Sequence, residues 1–131
     1  MFKAQDIMIT DVITVRADTP IYEAMKILVE NSISGLPVVD KNMVLVGIIT
    51  EKDMLCLLVE GDIERRQTVG DYMNKKVVCF RSDDDILSIC DFFTKSSFRR
   101  FPIIKDGKMA GIVSRRDIIK LILKLRPTKE K

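Results

Sequence analysis

Residues Gly47 to Asp53, GIITEKD, return near the end of the chain as Gly111 to Asp117, GIVSRRD. The echo is not isolated: Asp6-Ile7-Met8 recurs as Asp71-Tyr72-Met73, and SGLPVVD (Ser34 to Asp40) recurs as RRFPIIK (Arg99 to Lys105) at the same offset. Beyond those blocks the offset shortens by one residue, because DKNMVLVG is answered by KDGKMAG, which places the deletion in a turn. Two copies of one unit restrict the fold more than any other feature, since both must adopt the same supersecondary structure. The copies divide as residues 1–65 and 66–131. At about 60 residues each, neither buries enough surface alone. The expected packing is therefore a pseudo-twofold pair with the two small sheets facing and the helices outside.

Each copy reads in the same order. An extended segment (VITV, then VVCF) leads into a helix. In the first copy the helix runs from Pro20 to about Asn31, with Ile21, Ala24, Met25 and Leu28 at helical spacing, Thr19 as N-cap and Pro20 at the first helical position. In the second it runs from Asp85 to about Lys95, with Ile86, Ile89, Cys90 and Phe93 on the same face. Two short apolar runs follow, LPVVD and MVLVGII, then FPIIK and KMAGIV, joined by Asp, Asn, Lys and Gly as a hairpin requires. Thr50 and Ser114 open the last helix, where Met54, Leu55, Leu57 and Leu58 answer Ile118, Ile119, Leu121 and Ile122. The fold class is α/β (α+β), a β-α-β-β-α unit made twice. Glu60 to Thr68 is a polar connector, and the tail RPTKEK is expected to fray.

Composition removes several function classes. The 131 residues are 47% hydrophobic and 31% charged, a balance that supports a full core. A net charge of +3, spread along the chain, gives no concentrated basic face for nucleic acid. Histidine is absent, which removes the commonest general base and transition-metal ligand. Cys56, Cys79 and Cys90 form no C-x-x-C pair and read as core thiols in a reducing compartment, Cys56 as a buried small hydrophobe among leucines. The amino terminus lacks the apolar core of a signal peptide, and no apolar run approaches the roughly 18 residues that span a bilayer. A soluble cytoplasmic protein with no membrane contact is expected. With no nucleophile beside an evident base and no Gly-rich P-loop, the chain is expected not to be an enzyme.

The repeated corner admits two readings. Gly47 and Gly111 allow close strand packing, and the hydroxyl of Thr50 or Ser114 sits where a helix begins and free N–H groups favour a phosphate. Asp53 or Asp117, about one turn on, is placed to accept from a pair of neighbouring hydroxyls. T-x-x-D and S-x-x-D are equally capping boxes, in which both side chains satisfy the helix's own donors. Capping alone leaves the arginines without a role: Arg99 and Arg100 stand where the first copy has Ser34 and Gly35, and Arg116 lies beside Asp117. The run Asp83-Asp84-Asp85 suits the positive end of a helix dipole better than a metal site.

In D-I-M before the T-V strand, D-T-P opening a helix, S-G-L-P-V-V-D and G-I-I-T-E-K-D, repeated in order over residues 6–123, the chain resembles the tandem cystathionine β-synthase (CBS) domain, or Bateman module. The resemblance implies a regulatory sensor of an adenosine-containing ligand (AMP, ADP, ATP or S-adenosylmethionine), with no further cofactor. It implies a composite site: Asp117 on the ribose, Ser114 and Arg100 on the phosphate with Arg116 nearby, and Thr19, Ala24, Ile33, Ser34 and Gly35 flanking the adenine. A second, mirrored site would use Thr50, Lys52 and Asp53 but meets Asp84, Ile89, Phe98, Arg99 and Arg100 where the first has Thr19, Ala24, Ile33, Ser34 and Gly35. That cleft is expected to be narrower, with Phe98 offering a face to a base and Arg99 a phosphate contact. The resemblance further implies a homodimer formed through apolar helix faces and an effector protein that hears the signal. The competing reading is a ligand-free interaction module, or a nucleic-acid binder using Arg65-Arg66, Arg99-Arg100 and Arg115-Arg116, whose binding salt would weaken steeply.

Overall fold

The computed structural model describes residues 2–60 and 67–126. The pair Arg65-Arg66, most of the connector and all but Arg126 of the RPTKEK tail lie outside the described residues.

Along the chain run helices α1 (Ala4–Ile7) and α2 (Ile21–Asn31), strands β1 (Gly35–Val39) and β2 (Leu45–Thr50), and helices α3 (Glu51–Val59) and α4 (Val69–Tyr72). Strand β3 (Phe80–Arg81), helix α5 (Ile86–Lys95), strands β4 (Arg100–Lys105) and β5 (Lys108–Ser114) and helix α6 (Arg115–Leu125) complete it. The β-α-β-β-α order is complete in the second copy; in the first, the expected strand VITV is not formed ahead of α2 and leaves only a single bridge at Val15, and in both copies the D-x-M segments add single helical turns, α1 and α4. No apolar periodicity announces so short a helix. Its signature is the carboxylate, since Asp6 Oδ2 accepts from the Lys3 N–H (2.8 Å) and Asp71 Oδ2 from the Thr68 N–H (2.8 Å).

The chain forms two compact units whose limits are not those of the sequence repeat: Ile13–Val77, and Met1–Val12 together with Val78–Lys131. The copies have exchanged their leading segments. Within the first unit, the α4 N–H groups of Val69 and Gly70 donate to the carbonyls of Thr19 (2.9 Å) and Ala17 (2.8 Å). Within the other, the α1 N–H groups of Ala4 and Gln5 donate to Asp84 (2.9 Å) and Ser82 (2.9 Å). The leaders then pair with the hairpins, Asn74 with Ile48 and Ile9 with Ile112.

This docking explains the glycines. A Cβ on Gly47 would lie 2.7 Å from Met73 Sδ, and one on Gly111 would lie 2.8 Å from both Met8 Sδ and the Ile9 carbonyl. The G-I of the corner and the M of D-x-M are thus one packing device read from distant parts of the chain.

β1 pairs antiparallel with β2, from Gly35 opposite Thr50 to Val39 opposite Leu45, while VITV adds only Val15, bridged in parallel to Val38. β3 runs parallel to β4, and β4 antiparallel to β5 from Arg100 opposite Ser114 to Lys105 opposite Lys108. The second hairpin closes on Asp106 (φ 53°) and Gly107 (φ 78°), the two left-handed residues of a tight turn. The first turn is longer; Asp40 Oδ1 accepts from the Asn42 (2.8 Å) and Val44 (3.0 Å) N–H groups, and these bonds hold its carboxyl below the ordinary carboxylate value.

The helices bury the faces the spacing selects: Ile21, Ala24, Leu28, Met54 and Leu57 with Leu36, Val38 and Ile49 in one core, and Ile86, Ile89, Phe93, Ile118 and Leu121 with Phe101, Ile103 and Val113 in the other. Each fully buried large side chain contributes about 1.5–3 kcal/mol. Phe101 centres an aromatic cluster with the rings of Phe80, Phe92, Phe93 and Phe98.

Two expectations need correction. Thr19 is not the N-cap of α2: Pro20 is, and the first helical N–H, from Ile21, donates to the Gln67 carbonyl (2.9 Å). A tertiary acceptor from the docked leader does the work of a capping side chain. Nor are the cysteines core thiols, because Cys56 and Cys79 are exposed and Cys90 is partly buried. α3 turns Met54 and Leu57 inward, which leaves Cys56 on the outer face, its Sγ 3.8 Å from the Lys52 carbonyl.

Candidate functional site

Both corners are formed where a strand hands over directly to a helix, Thr50 ending β2 and capping α3, Ser114 ending β5 and capping α6. Both are capping boxes. Asp53 Oδ2 accepts from the Thr50 N–H (2.9 Å) while Thr50 Oγ1 accepts from the Asp53 N–H (3.4 Å). Asp117 Oδ2 accepts from the Ser114 N–H (2.8 Å) while Ser114 Oγ accepts from the Asp117 N–H (3.2 Å). The first N–H of each helix is also used, Glu51 donating to the Ser34 carbonyl (2.9 Å) and Arg115 to the Arg99 carbonyl (3.1 Å). Fewer helix donors are therefore open to a phosphate than the motif alone suggested.

Capping does not exhaust the chemistry. A carboxylate offers about four lone-pair positions, and among the described residues the Oδ1 atoms of Asp53 and Asp117 accept no hydrogen bond. The box fixes the rotamer and leaves one oxygen presented.

The corners then diverge. Thr50 Oγ1 donates its proton to Asp53 Oδ2 (2.9 Å), so that hydroxyl is spent on its own cap. Ser114 makes no such bond, and among the described residues no acceptor takes its proton. Opposite Thr50 in the strand register stands Gly35; opposite Ser114 stands Arg100. Cross-strand partners project to one face of the ladder, so Arg100 lies beside the serine. Arg100 Nε is shielded from solvent and has no hydrogen-bond partner.

The remaining expected residues fall as follows. In the Ile13–Val77 unit, Thr19 Oγ1 accepts from the Arg16 N–H (3.1 Å), and in the other unit Asp84 Oδ2 accepts from the Arg81 N–H (2.7 Å), so the two equivalent positions hold equivalent turns. Ala24 and Ile89 are both wholly buried in their cores. Ile33 and Ser34 are partly buried beside Gly35 at the start of β1, and Lys52 is exposed. Phe98 is 47% exposed with its ring 5.5 Å from that of Phe101. The side chains of Arg99 and Arg116 are exposed. The three aspartates each have a local role: Asp85 caps α5, Asp84 the preceding turn, and Asp83 lies 3.8 Å from Arg81.

Arg115 is the residue sequence reasoning missed. Its Nε donates to the Phe98 carbonyl (2.8 Å), its Nη2 to the Ser96 carbonyl (3.0 Å), and its guanidinium stands 6.0 Å over the Phe93 ring. It fastens the segment leading into Arg99 and Arg100 to the start of α6. Only the doubled Arg115-Arg116 hinted at it, and the doubling does not say which member turns back.

Two α/β repeats, each ending in a capped strand-to-helix corner, define a tandem fold. The CBS domain model matches residues 4–60 and again 69–124, and the chain belongs to that family as a tandem pair. It is 39% identical over 119 residues to an inosine-5′-monophosphate dehydrogenase of Methanocaldococcus jannaschii; the match covers 90% of this chain but only 23% of the enzyme. An uncharacterized 17.7 kDa protein of Acidianus ambivalens is 36% identical over 122 residues, 92% of this chain and 73% of that one. Among solved structures, CBSX2 in complex with AMP superposes with a TM-score of 0.86 at 26% identity, covering 97% of this chain and all of the other. A CBS domain pair crystallised with 5′-methylthioadenosine and S-adenosyl-L-methionine gives 0.79 at 28% identity, over 96% of this chain and 99% of the other. Among the described residues no helix is long and apolar enough to cross a membrane.

Proposed function

We propose that this chain is a non-catalytic regulatory module that binds an adenosine-containing ligand and passes its occupancy to another protein. The observation that carries the reading is the second corner, where Asp117 keeps one oxygen unused after capping and Ser114 keeps its proton. An aspartate locked by a cap suits a ribose diol, because its orientation is settled before the ligand arrives. AMP in one structural relative, and 5′-methylthioadenosine and S-adenosyl-L-methionine in another, support the ligand class.

The module works as a homodimer in this reading. Supporting it, α3 exposes Leu55, Leu58 and Val59, and α6 exposes Ile119, Ile122 and Leu123, faces opposite those that fill the cores. A ligand transmits only if it favours one arrangement of the assembly over another.

Isothermal titration with AMP, ADP, ATP and S-adenosylmethionine tests the proposal. Saturable binding near one ligand per chain is expected, lost in Asp117→Ala and kept in Asp53→Ala, which removes the matching cap of the first repeat. Silence across the panel would turn the assignment toward a ligand-free interaction module.

A further inference from the structure

The Ser82 hydroxyl is a polar group that the fold does not use. Ser82 is only 7% exposed, and among the described residues its Oγ makes no hydrogen bond. Buried polar groups are almost always bonded, and leaving one without a partner is costly. The first repeat shows that the turn does not need it, for the equivalent residue there is Ala17. The leaders dock on both residues alike: the Gly70 N–H donates to the Ala17 carbonyl (2.8 Å) and the Gln5 N–H to the Ser82 carbonyl (2.9 Å).

Ser82 lines a cavity of about 470 Å³ that lies wholly within the unit of Met1–Val12 and Val78–Lys131. Gln5, Arg81, Asp83, Lys105 and Asp106 line it as well. Two of these also replace plainer or committed residues of the first repeat. Gln5 stands where that repeat has Gly70, and Lys105 where it has Asp40, whose carboxylate is spent on its own turn. The cavity sits where β3 ends and the hairpin turns, with Arg81 paired to Ile104 in the ladder. Arg100 and the second corner lie at the opposite end of β4, about 17 Å of strand away.

Charge at this cavity is balanced. Arg81 and Lys105 oppose Asp83 and Asp106, and the pairing of Arg81 Nε with Asp83 Oδ1 at 3.8 Å joins two exposed side chains and holds neither firmly. A simple anion would face two carboxylates, and a simple cation would face two cationic side chains. Among the described residues no aromatic ring lines the cavity to take the face of a base or sugar.

We infer that this cavity is a further binding site, separate from the adenosine corner, for a small zwitterion of the α-amino acid class. The carboxylate accepts from Ser82 Oγ and the Arg81 guanidinium, and the ammonium donates to Asp106. Such charge-assisted bonds are among the stronger ones in proteins. Gln5 and Lys105 are left to meet the side chain.

The test is a thermal melt of the full chain with each of the common α-amino acids at millimolar concentration, beside acetate and methylamine, which carry the two halves of the dipole separately. At least one amino acid is expected to raise the midpoint while acetate and methylamine leave it unchanged, and calorimetric titration of that amino acid is expected to give one site per chain. Ser82→Ala, which the first repeat shows to be compatible with the turn, should weaken its binding about 10- to 100-fold, as one charge-assisted bond implies. The unliganded midpoint of that variant should be equal or higher. Arg81→Gln should weaken binding comparably. No shift with any amino acid overturns the inference, as does an equal shift with acetate, which would mark a plain anion site. Unchanged affinity in Ser82→Ala overturns it too, and a lower unliganded midpoint there would give the serine a structural role instead. AMP titrated into Ser82→Ala should behave as in the parent protein; a changed affinity would overturn the separation of the two sites.

Discussion

Replacing Gly111 by alanine adds one methyl at a point 2.8 Å from the Ile9 carbonyl, 2.8 Å from Met8 Sδ and 2.9 Å from Met8 Cγ. The methionine is the far end of a flexible side chain and can swing aside; the carbonyl cannot move without its peptide. That carbonyl accepts from the Ile112 N–H (2.9 Å) while the Ile9 N–H donates to the Ile112 carbonyl (2.9 Å), so the shift strains the pair of bonds that seats the leader. Overpacking of this kind costs about 1–3 kcal/mol. Gly111 has no left-handed φ, so alanine recovers about 0.4–1 kcal/mol by restricting the unfolded chain. The net expectation is a loss of about 1–2 kcal/mol. Gly47→Ala meets Met73 Sδ at 2.7 Å and the Asn74 carbonyl only at 3.1 Å, and should cost about 1 kcal/mol less than its counterpart. Urea denaturation followed by far-UV circular dichroism measures both, with a midpoint shift on the order of 1 M for Gly111→Ala. Equal midpoints for the two variants would show that the Ile9 carbonyl does not set the cost, and a Gly111→Ala protein as stable as its parent would show that the glycine is not there to admit the leader.

Other expectations rest on separate features. Both tyrosines, Tyr22 and Tyr72, lie in the Ile13–Val77 unit and all six phenylalanines in the other, so tyrosine fluorescence should report the first unit selectively and Gly111→Ala should move the circular dichroism transition more than the fluorescence one. Ser114→Ala should cost about 1 kcal/mol as a lost cap and weaken AMP binding too, which thermal melts with and without AMP separate. Although its side chain is largely exposed, the Cys79 thiol is pushed up by partial desolvation and then by the Asp84 charge; fewer thiolates at pH 7 mean slower reaction with iodoacetamide than in the urea-unfolded chain, a gap that closes at higher pH. Asp40 has a folded value below its ordinary one, so its contribution is present above the unfolded value of 3.8 and lost as pH falls through the folded one. Asp40→Asn should flatten the stability profile below about pH 4, as parallel denaturation series would register.

Much of this could be read from the sequence because repetition doubled each weak signal. The helical spacing of Ile21, Ala24 and Leu28 is confirmed by Ile86, Ile89 and Phe93, and the hairpins by apolar runs broken at matching turns. What could not be read depends on contacts between residues far apart in the chain. The Thr19 cap failed because the acceptor for Ile21 comes from Gln67, on the docked leader. Cys56 was misplaced because neighbours Leu55 and Leu58 suggested a buried stretch, whereas both point outward with it. At the corners the T-x-x-D and S-x-x-D patterns look interchangeable. Only the hydroxyl geometry and the register partners, Gly35 and Arg100, tell them apart.

The exchange of leaders also sets a timetable for synthesis. Ile13–Val77 is contiguous, and all its elements are available once Val77 has been made. The segment Met1–Val12, translated before it, has partners at Ser82, Asp84 and Ile112. At about 5–20 residues per second, roughly 100 residues of further translation separate Ile9 from Ile112, a wait of about 5–20 s. Throughout it the N–H and C=O groups of Ile9 are an unpaired edge of the kind that recruits neighbouring chains. A ribosome stalled before Ile112 therefore displays the Ile13–Val77 unit behind an unplaced Met1–Val12 segment, which is made before that unit and finds its position after it.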